Sequence, residues 1–519
     1  MKQNNTKIAE SRLDSANRAK NRIDSADSQN LKKQPTNSKI VDEFLGLCEA
    51  SDEDRTQGSS RKRADALPKK SPQAEFAPVS VIILAGGFGT RMKSKTPKVM
   101  HKICGKEMLF CIIDEVAQVS DDIHIVLYNE ADAIQKALRE NYGERVESSI
   151  FTHLQDYKNF PGTAGAIMQG GDSSTPKAPI ATKHERILIL SGDMPLVRAE
   201  ILREFAQSKS EIVLGILELE NATGYGRIVM SGDKVSEIIE EKDATESQKR
   251  INLANAGIYC LNRALLETAL PRIESRNNQS EFYLTEIIKF SDDISGICAR
   301  ERDFIGVNSK RELARAEEFM LFRLREKAMK EGVIMHLPQS IYLEFGVEFE
   351  GECEIESGAV LKGKSKITNS TIFAHSVVES SIIENSTIGP FARIRPHSHI
   401  KLSHIGNFVE VKNSKLFNVK AGHLSYLGDS EVKSGTNIGA GVITCNYDGK
   451  RKHQTFIGKN VFVGSGVQLV APIFIEDNVL IAAGSVVTQN AKDGDLVMAR
   501  SKQVNREGFF YHFFGGKKQ

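Results

Sequence analysis

The chain has 519 residues, 40% hydrophobic and 26% charged, with a formal net charge of +2. That length leaves room for two or three domains with sizeable cores, and the near balance of charge gives no electrostatic case for nucleic acid or an acidic membrane. Seven cysteines with no Cys-x-x-Cys pair argue against a disulfide framework or zinc site and for a reducing, cytoplasmic setting, and neither a signal peptide nor a run of ~18 apolar residues is present.

Residues 1–77 are rich in Lys, Asn, Ser, Asp and Gln, and RLDSAN at 12–17 is echoed by RIDSAD at 22–27. Such composition cannot offset its ordering entropy, so this part reads as a disordered polar extension. Its apolar patch at 40–47 reads as a weak helix near 38–49, and RKR at 61–63 reads as a solvated tail.

Between 78 and 308, apolar runs at 79–84, 123–128, 186–196 and 211–219 alternate with helical patterns at 131–141 and 198–208. That alternation predicts βαβ units and a mainly parallel sheet, with 171–185 a surface loop. The first run is followed directly by AGGFGTRM. Glycines there let the backbone come close to a large group, and backbone N–H groups with Arg91 can meet phosphate oxygens. Taken alone, the loop fits a strand-to-helix turn with a surface arginine equally well.

Residues 309–335 read as a charged helical linker. In 336–505, Ile457, Val463, Leu469, Ile475, Ile481 and Val487 fall at intervals of six, as do Ile355, Leu361, Ile367 and Ile388, Ile394, Ile400. A period of six suits a β-helix whose triangular coils point one aliphatic residue inward per side. The interruptions at 401–437 and 444–456 read as loops leaving the coil, and 506–519 as a tail.

The motifs LAGGFGTRM, TPKVMH, PGTAGA, SGDMPL, GYGRI, EKDAT, NAGIY and GVNSKREL, then GPFARIRP, GNFVEVK, KAGHLSYLGD, NIGAGVITCNYDG, FVGS and IAAGS, stand in this order. In this the chain resembles the bacterial bifunctional N-acetylglucosamine-1-phosphate uridyltransferase / glucosamine-1-phosphate N-acetyltransferase family. The resemblance implies an α/β Rossmann-like nucleotidyltransferase (pyrophosphorylase) domain followed by a left-handed parallel β-helix, and a homotrimer. It also implies Mg2+, with UTP and acetyl-CoA as co-substrates and glucosamine 1-phosphate and N-acetylglucosamine 1-phosphate as the sugar substrates.

By this resemblance Leu84, Ala85, Gly86 and Gly87 cradle the nucleotide, with Arg91 and Lys98 on its phosphates and Gln155, Gly162 and Thr163 on the base. Gly224, Glu240 and Asn255 hold the sugar phosphate, and Asp193 and Asn308 the metal, which favours hard oxygen donors. The stretch QDYKNFPG at 155–162 is longer than the family's usual spacing. For acetyl transfer the resemblance makes His423 the base, since an attacking amine must be neutral, with Glu410 orienting it. Arg395, Lys412 and Lys452 bind the sugar phosphate, with Tyr426, Asn437 and Asn446 on the sugar. Ala440, Asn446, Tyr447, Ser465, Ala483 and Arg500 meet acetyl-CoA. Taken singly, His423 is a structural histidine, Asp193 a turn residue and the small residues β-helix corners.

Two other readings stand beside this one. The β-helix could serve only oligomerisation or regulation behind a sugar-1-phosphate nucleotidyltransferase. The chain could instead be a non-enzymatic binding subunit, which predicts a degraded loop or a lost metal ligand; Arg91, Lys98, Asp193 and Asn308 are all present.

Overall fold

The computed structural model describes residues 78–169, 178–231 and 234–516. The expected extension at 1–77, with its weak helix and basic patch, and the first part of the loop expected at 171–185 lie outside these residues.

The first half is a nine-stranded mixed sheet. Its strands are β1 (Val79–Leu84), β2 (Ile123–Leu127), β3 (Ile150–Leu154), β4 (Arg186–Ser191), β5 (Ile212–Glu218), β6 (Arg227–Ser231), β7 (Lys234–Ile239), β8 (Leu253–Asn262) and β9 (Ile294–Ala299). They lie in the order β7-β6-β8-β4-β1-β2-β3, with β5 pairing β8 and β9. The pairs β1–β2, β1–β4 and β2–β3 are parallel, as the βαβ alternation predicts. Past β4 the sheet is mixed: β4–β8, β5–β8, β6–β8 and β6–β7 run antiparallel, while β5–β9 is parallel. The mainly parallel reading therefore holds for one half only. No long crossover helix separates β5 through β8; β6 and β7 pair directly, while β8 pairs with β4, β5 and β6.

β1 lies between β2, its successor, and β4, which arrives from later in the chain. The order reverses here, and open α/β sheets place ligands in the crevice at such a point, beyond the strands' carboxyl ends. The glycine loop leaves β1 at this end, and Gly192 and Asp193 leave β4.

The helix Lys310–Lys330 fills most of the expected linker. Its N-cap is Ser309, whose hydroxyl accepts from Glu312 N at 3.3 Å, while the Glu312 carboxylate accepts from Asn308 N at 2.7 Å. This reciprocal capping holds Asn308 immediately before the helix.

From Ile334 onward the chain winds through three parallel sheets of ten, nine and eight strands, each strand pairing with the one a full coil later. This is the left-handed parallel β-helix. Register stacks like on like: Ile355, Ile372, Ile388, Ile405 and Ala421 form one inward column, all 0% exposed.

The loop expected at 401–437 does not exist. Ile400, Ile405, Val411, Leu416, Ala421, Leu427, Val432 and Ile438 are all buried, and the coils continue without interruption. The period of six fails there because some sides are one residue shorter. The shorter sides turn through left-handed residues such as Asn369, Asn385, Leu402, Asn413, Asn418 and Asp429. The interruption at 444–456 is a true excursion, closed by a bridge between Tyr447 and Lys452.

Two residues before many inward aliphatics lies a buried serine, whose hydroxyl accepts from the coil above: Ser386 N donates to Ser370 Oγ at 3.0 Å and Ser403 N to Ser386 Oγ at 2.9 Å. Close stacking also leaves no room at Gly406, where a Cβ would lie 2.0 Å from the Gly422 carbonyl oxygen. Gly406→Ala is therefore expected to lower the β-helix unfolding temperature by several degrees, from an overpacking cost of about 1–3 kcal/mol. Calorimetry on the intact chain checks this.

Candidate functional site

The crevice beyond β1 and β4 opens into a cavity of about 440 Å³. Its wall contains Leu84, Ala85, Gly86, Gly87, Lys98, Gln155, Gly162, Thr163, Asp193, Gly224, Glu240, Asn255 and Asn308. One concave site thus gathers the residues expected for nucleotide, sugar phosphate and metal. Arg91 is the exception: it is exposed on the turn Thr90–Met92 and lies outside this wall.

Local chemistry explains how the residues are held. Gly89 has φ 60° and a Cβ there would lie 2.7 Å from Lys98 Cβ, so the glycine loop can pass directly over the lysine. The Lys98 ammonium donates to the Asp193 carboxylate and, at 3.0 Å, to Asn308 Oδ1. Asp193 is 6% exposed, so its charge requires a partner. The pair Asp193 and Asn308 offers hard oxygens, and the ammonium between them is a stand-in cation, so these residues suit a hard divalent metal.

The amide of Gln155 donates to the carbonyls of Phe160 and Gly162 at 3.0 and 3.2 Å. The lengthened stretch therefore folds back on Gln155 and keeps it in the cavity wall. Thr163 Oγ1 accepts from Leu284 N at 2.9 Å. Asn255 bridges the Tyr259 hydroxyl and Gly257 N. Burial raises the Glu240 carboxyl, opposed by the hydrogen bond it accepts from Thr285. Burial, then Glu281, raises the phenol of Tyr157. Tyr157, Glu281 and Thr285 all line the cavity, and motif reading did not single them out.

The second group lies on the β-helix. Register places Glu410 beside Arg393 and Tyr426, and Lys412 beside Gly428. Arg395 Nη1 donates to Glu410 Oε1 at 2.9 Å. The neighbouring Lys452 ammonium holds Lys412 below its ordinary pKa. Two ammonium groups side by side suit an anionic ligand such as a phosphate. Lys452 is brought over the coil by the excursion, whose turn is fastened by Asp448. That carboxylate accepts from the backbone of Lys450 and Arg451 and contacts His453, which depress its pKa.

Asp429, 8% exposed, accepts from Asn413 at 2.6 Å and from Asn446, and the Asn446 amide also reaches the Tyr426 hydroxyl at 3.5 Å. Asp429 was not foreseen; the Gly-Asp after KAGHLSYL was its only signal. His423 ends the strand Lys420–His423 and is exposed. Glu410 is engaged by Arg395 here, so an orienting role toward His423 rests on the family pattern. Asn437 lies on the adjoining strand Asn437–Ile438. Ala440, Ser465 and Ala483 stack at one corner, tied by Gly466 N to Ala440 O at 2.8 Å and Gly484 N to Ser465 O at 2.9 Å. Tyr447 and Arg500 are exposed, Arg500 beyond the last full coil. Six described cysteines are free thiols, and no described helix is long and apolar enough to cross a membrane.

The nucleotidyl transferase family model matches residues 80–295. The chain is 53% identical to the bifunctional protein GlmU of Helicobacter hepaticus over 85% of this chain and 98% of that protein. It is 50% identical to that of Wolinella succinogenes over 85% of this chain and 100% of that one. The crystal structure of HddC from Yersinia pseudotuberculosis covers 46% of this chain at 21% identity, 98% of its own length and a TM-score of 0.34.

Proposed function

We propose a division of labour among the residues of this chain, which belongs to the family of bifunctional GlmU proteins. It is both a UDP-N-acetylglucosamine diphosphorylase and a glucosamine-1-phosphate N-acetyltransferase. It acetylates glucosamine 1-phosphate and couples the product to UTP, releasing pyrophosphate. The observation that most supports the residue assignments is the Lys98 ammonium held between Asp193 and Asn308, inside a cavity that also contains the nucleotide and sugar sets.

In uridylyl transfer a phosphate oxygen of N-acetylglucosamine 1-phosphate attacks the α-phosphorus of UTP, and the bond to the β-phosphate oxygen breaks. Holding anions in line and neutralising their charge is most of the catalysis. The loop 84–87 presents its backbone to the nucleotide, with Lys98 beside Gly87 to meet the α-phosphate. Arg91, on its exposed turn, meets the outgoing pyrophosphate, and Gln155, Gly162 and Thr163 face the base. Glu240 and Asn255, with Gly224, hold the sugar. Asp193 and Asn308 would hold Mg2+, which would supply charge neutralisation to the phosphates.

In acetyl transfer the neutral amine attacks the thioester carbonyl, the C–S bond breaks, and His423 takes the proton lost by the amine. Arg395, Lys412 and Lys452 receive the sugar phosphate, with Tyr426, Asn437 and Asn446 on the sugar. Tyr447 and the corner Ala440, Ser465 and Ala483 accept acetyl-CoA, whose phosphates suit Arg500.

Because His423, Ser465 and Ala483 stand exposed on the surface of one chain's β-helix, a homotrimer would complete the site. An exposed ridge supports that reading: Phe391 stacks on His375 at 5.1 Å and on Phe408 at 5.3 Å, with Leu424 next to His423 following. A cytoplasmic location fits the substrates.

Separate half-reaction assays test the assignment. Lys452→Ala is expected to raise KM for glucosamine 1-phosphate at least about tenfold, from one lost charge-assisted contact, and to leave pyrophosphate release from UTP unchanged. An unchanged KM would remove Lys452 from the phosphate site.

A further inference from the structure

Beside the glycine loop three aromatic rings stand together. Phe88 follows Gly87, Tyr128 follows β2, and Tyr157 belongs to the lengthened stretch 155–162. Phe88 meets Tyr128 and Tyr157 edge-on, with centroids 5.4 and 5.3 Å away, and the two tyrosines stack at 5.0 Å. Such geometry is attractive between quadrupoles, yet Phe88 is 49% and Tyr128 39% exposed.

The cluster is placed at the nucleotide end of the cavity. Phe88 and Tyr157 share its wall with Gly87, Gln155 and Gly162. A Cβ on Gly86 would lie 3.1 Å from Tyr128 Cβ and 3.2 Å from Gln155 Oε1, so the amide that faces the base edge and the ring cluster flank the same glycine.

We propose that Phe88 and Tyr157, backed by Tyr128, form an aromatic wall against which the uracil base of UTP stacks. This rests on the reading of the first cavity as the nucleotide site. A base offers a polar edge and an apolar face. Gln155 and the backbone around Gly162 can serve the edge; an aromatic ring serves the face and is indifferent to the edge's donors and acceptors. The two parts of the wall have separate origins, one in the glycine loop and one in the lengthened stretch. The lengthened stretch thereby adds a contact to the base subsite while keeping Gln155 in place. A competing account is that the rings only brace the glycine loop around the phosphates.

Steady-state kinetics with UTP, and inhibition by inorganic tripolyphosphate as a ligand with phosphates and no base, separate the two. Tyr157→Ala and Phe88→Ala are expected to raise KM for UTP about five- to thirtyfold, the loss of one base–aromatic stack, with kcat within about twofold. Tyr157→Phe keeps the wild-type KM. Tyr157→Leu, which keeps apolar bulk without a ring, behaves like the alanine variant. Inhibition by tripolyphosphate is unchanged throughout. An unchanged KM for UTP overturns the proposal. So does a parallel weakening of tripolyphosphate, which would mean loop bracing. Acetyl transfer on the same preparations monitors folding. A wild type that acetylates but transfers no uridylyl group removes the nucleotide reading, and the proposal with it.

Discussion

His423→Ala is expected to lose about 10²–10⁴-fold in acetyl transfer, the usual range for a removed general base, with uridylyl transfer unchanged in the same preparation. Free-thiol release from acetyl-CoA with glucosamine 1-phosphate, beside pyrophosphate release from UTP, reads both. The structure makes the separation clean. His423 ends a β-helix strand and is exposed, so its loss opens no cavity. Arg395 donates to Glu410 at 2.9 Å. In the proposed site, a sugar phosphate on Arg395, Lys412 and Lys452 would compete with Glu410 for that guanidinium. Acetyl transfer that survives His423→Ala within about tenfold would place the base elsewhere, and the β-helix would revert to a scaffold for the uridyltransferase.

Legibility in the sequence followed the range of the interactions. β1 and the strand ending before Gly192 were readable because a buried parallel strand leaves a continuous apolar run. The antiparallel half was not, because β8 pairs with β4, β5 and β6, strands distant from it in the chain whose pairing no local pattern states. In the β-helix the period of six was visible wherever all sides have equal length, from Ile457 to Val487. At 401–437 the same architecture was hidden by shorter sides, although Asn413, Asn418 and the buried Ser403 and Ser414 were signals of coil corners. The motifs assembled the first site almost whole, yet left out Phe88, Tyr128 and Tyr157. Contacts across strands, such as Arg395 with Glu410 or Asn446 with Asp429, depend on register between coils and stood outside any sequence window.

Asp193→Asn carries the largest expected loss in uridylyl transfer, about 10²–10³-fold in kcat, the scale of removing one preorganised charge from a buried electrostatic site. The substitution preserves shape and keeps an oxygen donor, so packing around Met194 and Leu196 is undisturbed. It removes the negative charge that holds the Lys98 ammonium and would hold Mg2+. Two consequences separate these roles. Raising Mg2+ should partly restore Asp193→Asn, because one hard oxygen and Asn308 remain, whereas Lys98→Met should not respond to Mg2+, having lost a cation that belongs to the chain. Binding of Mn2+ followed by electron paramagnetic resonance gives a readout independent of turnover. Wild-type protein with UTP should bind it, and Asp193→Asn should bind it more weakly by at least about tenfold, the loss of one anionic ligand. Equal Mn2+ binding by both proteins would show that Asp193 serves Lys98 alone, and the metal would then have to be held by phosphates and by other residues of the cavity. Acetyl transfer should be intact in both variants, since Asp193 and Lys98 belong to the nucleotidyltransferase half and His423 to the coil.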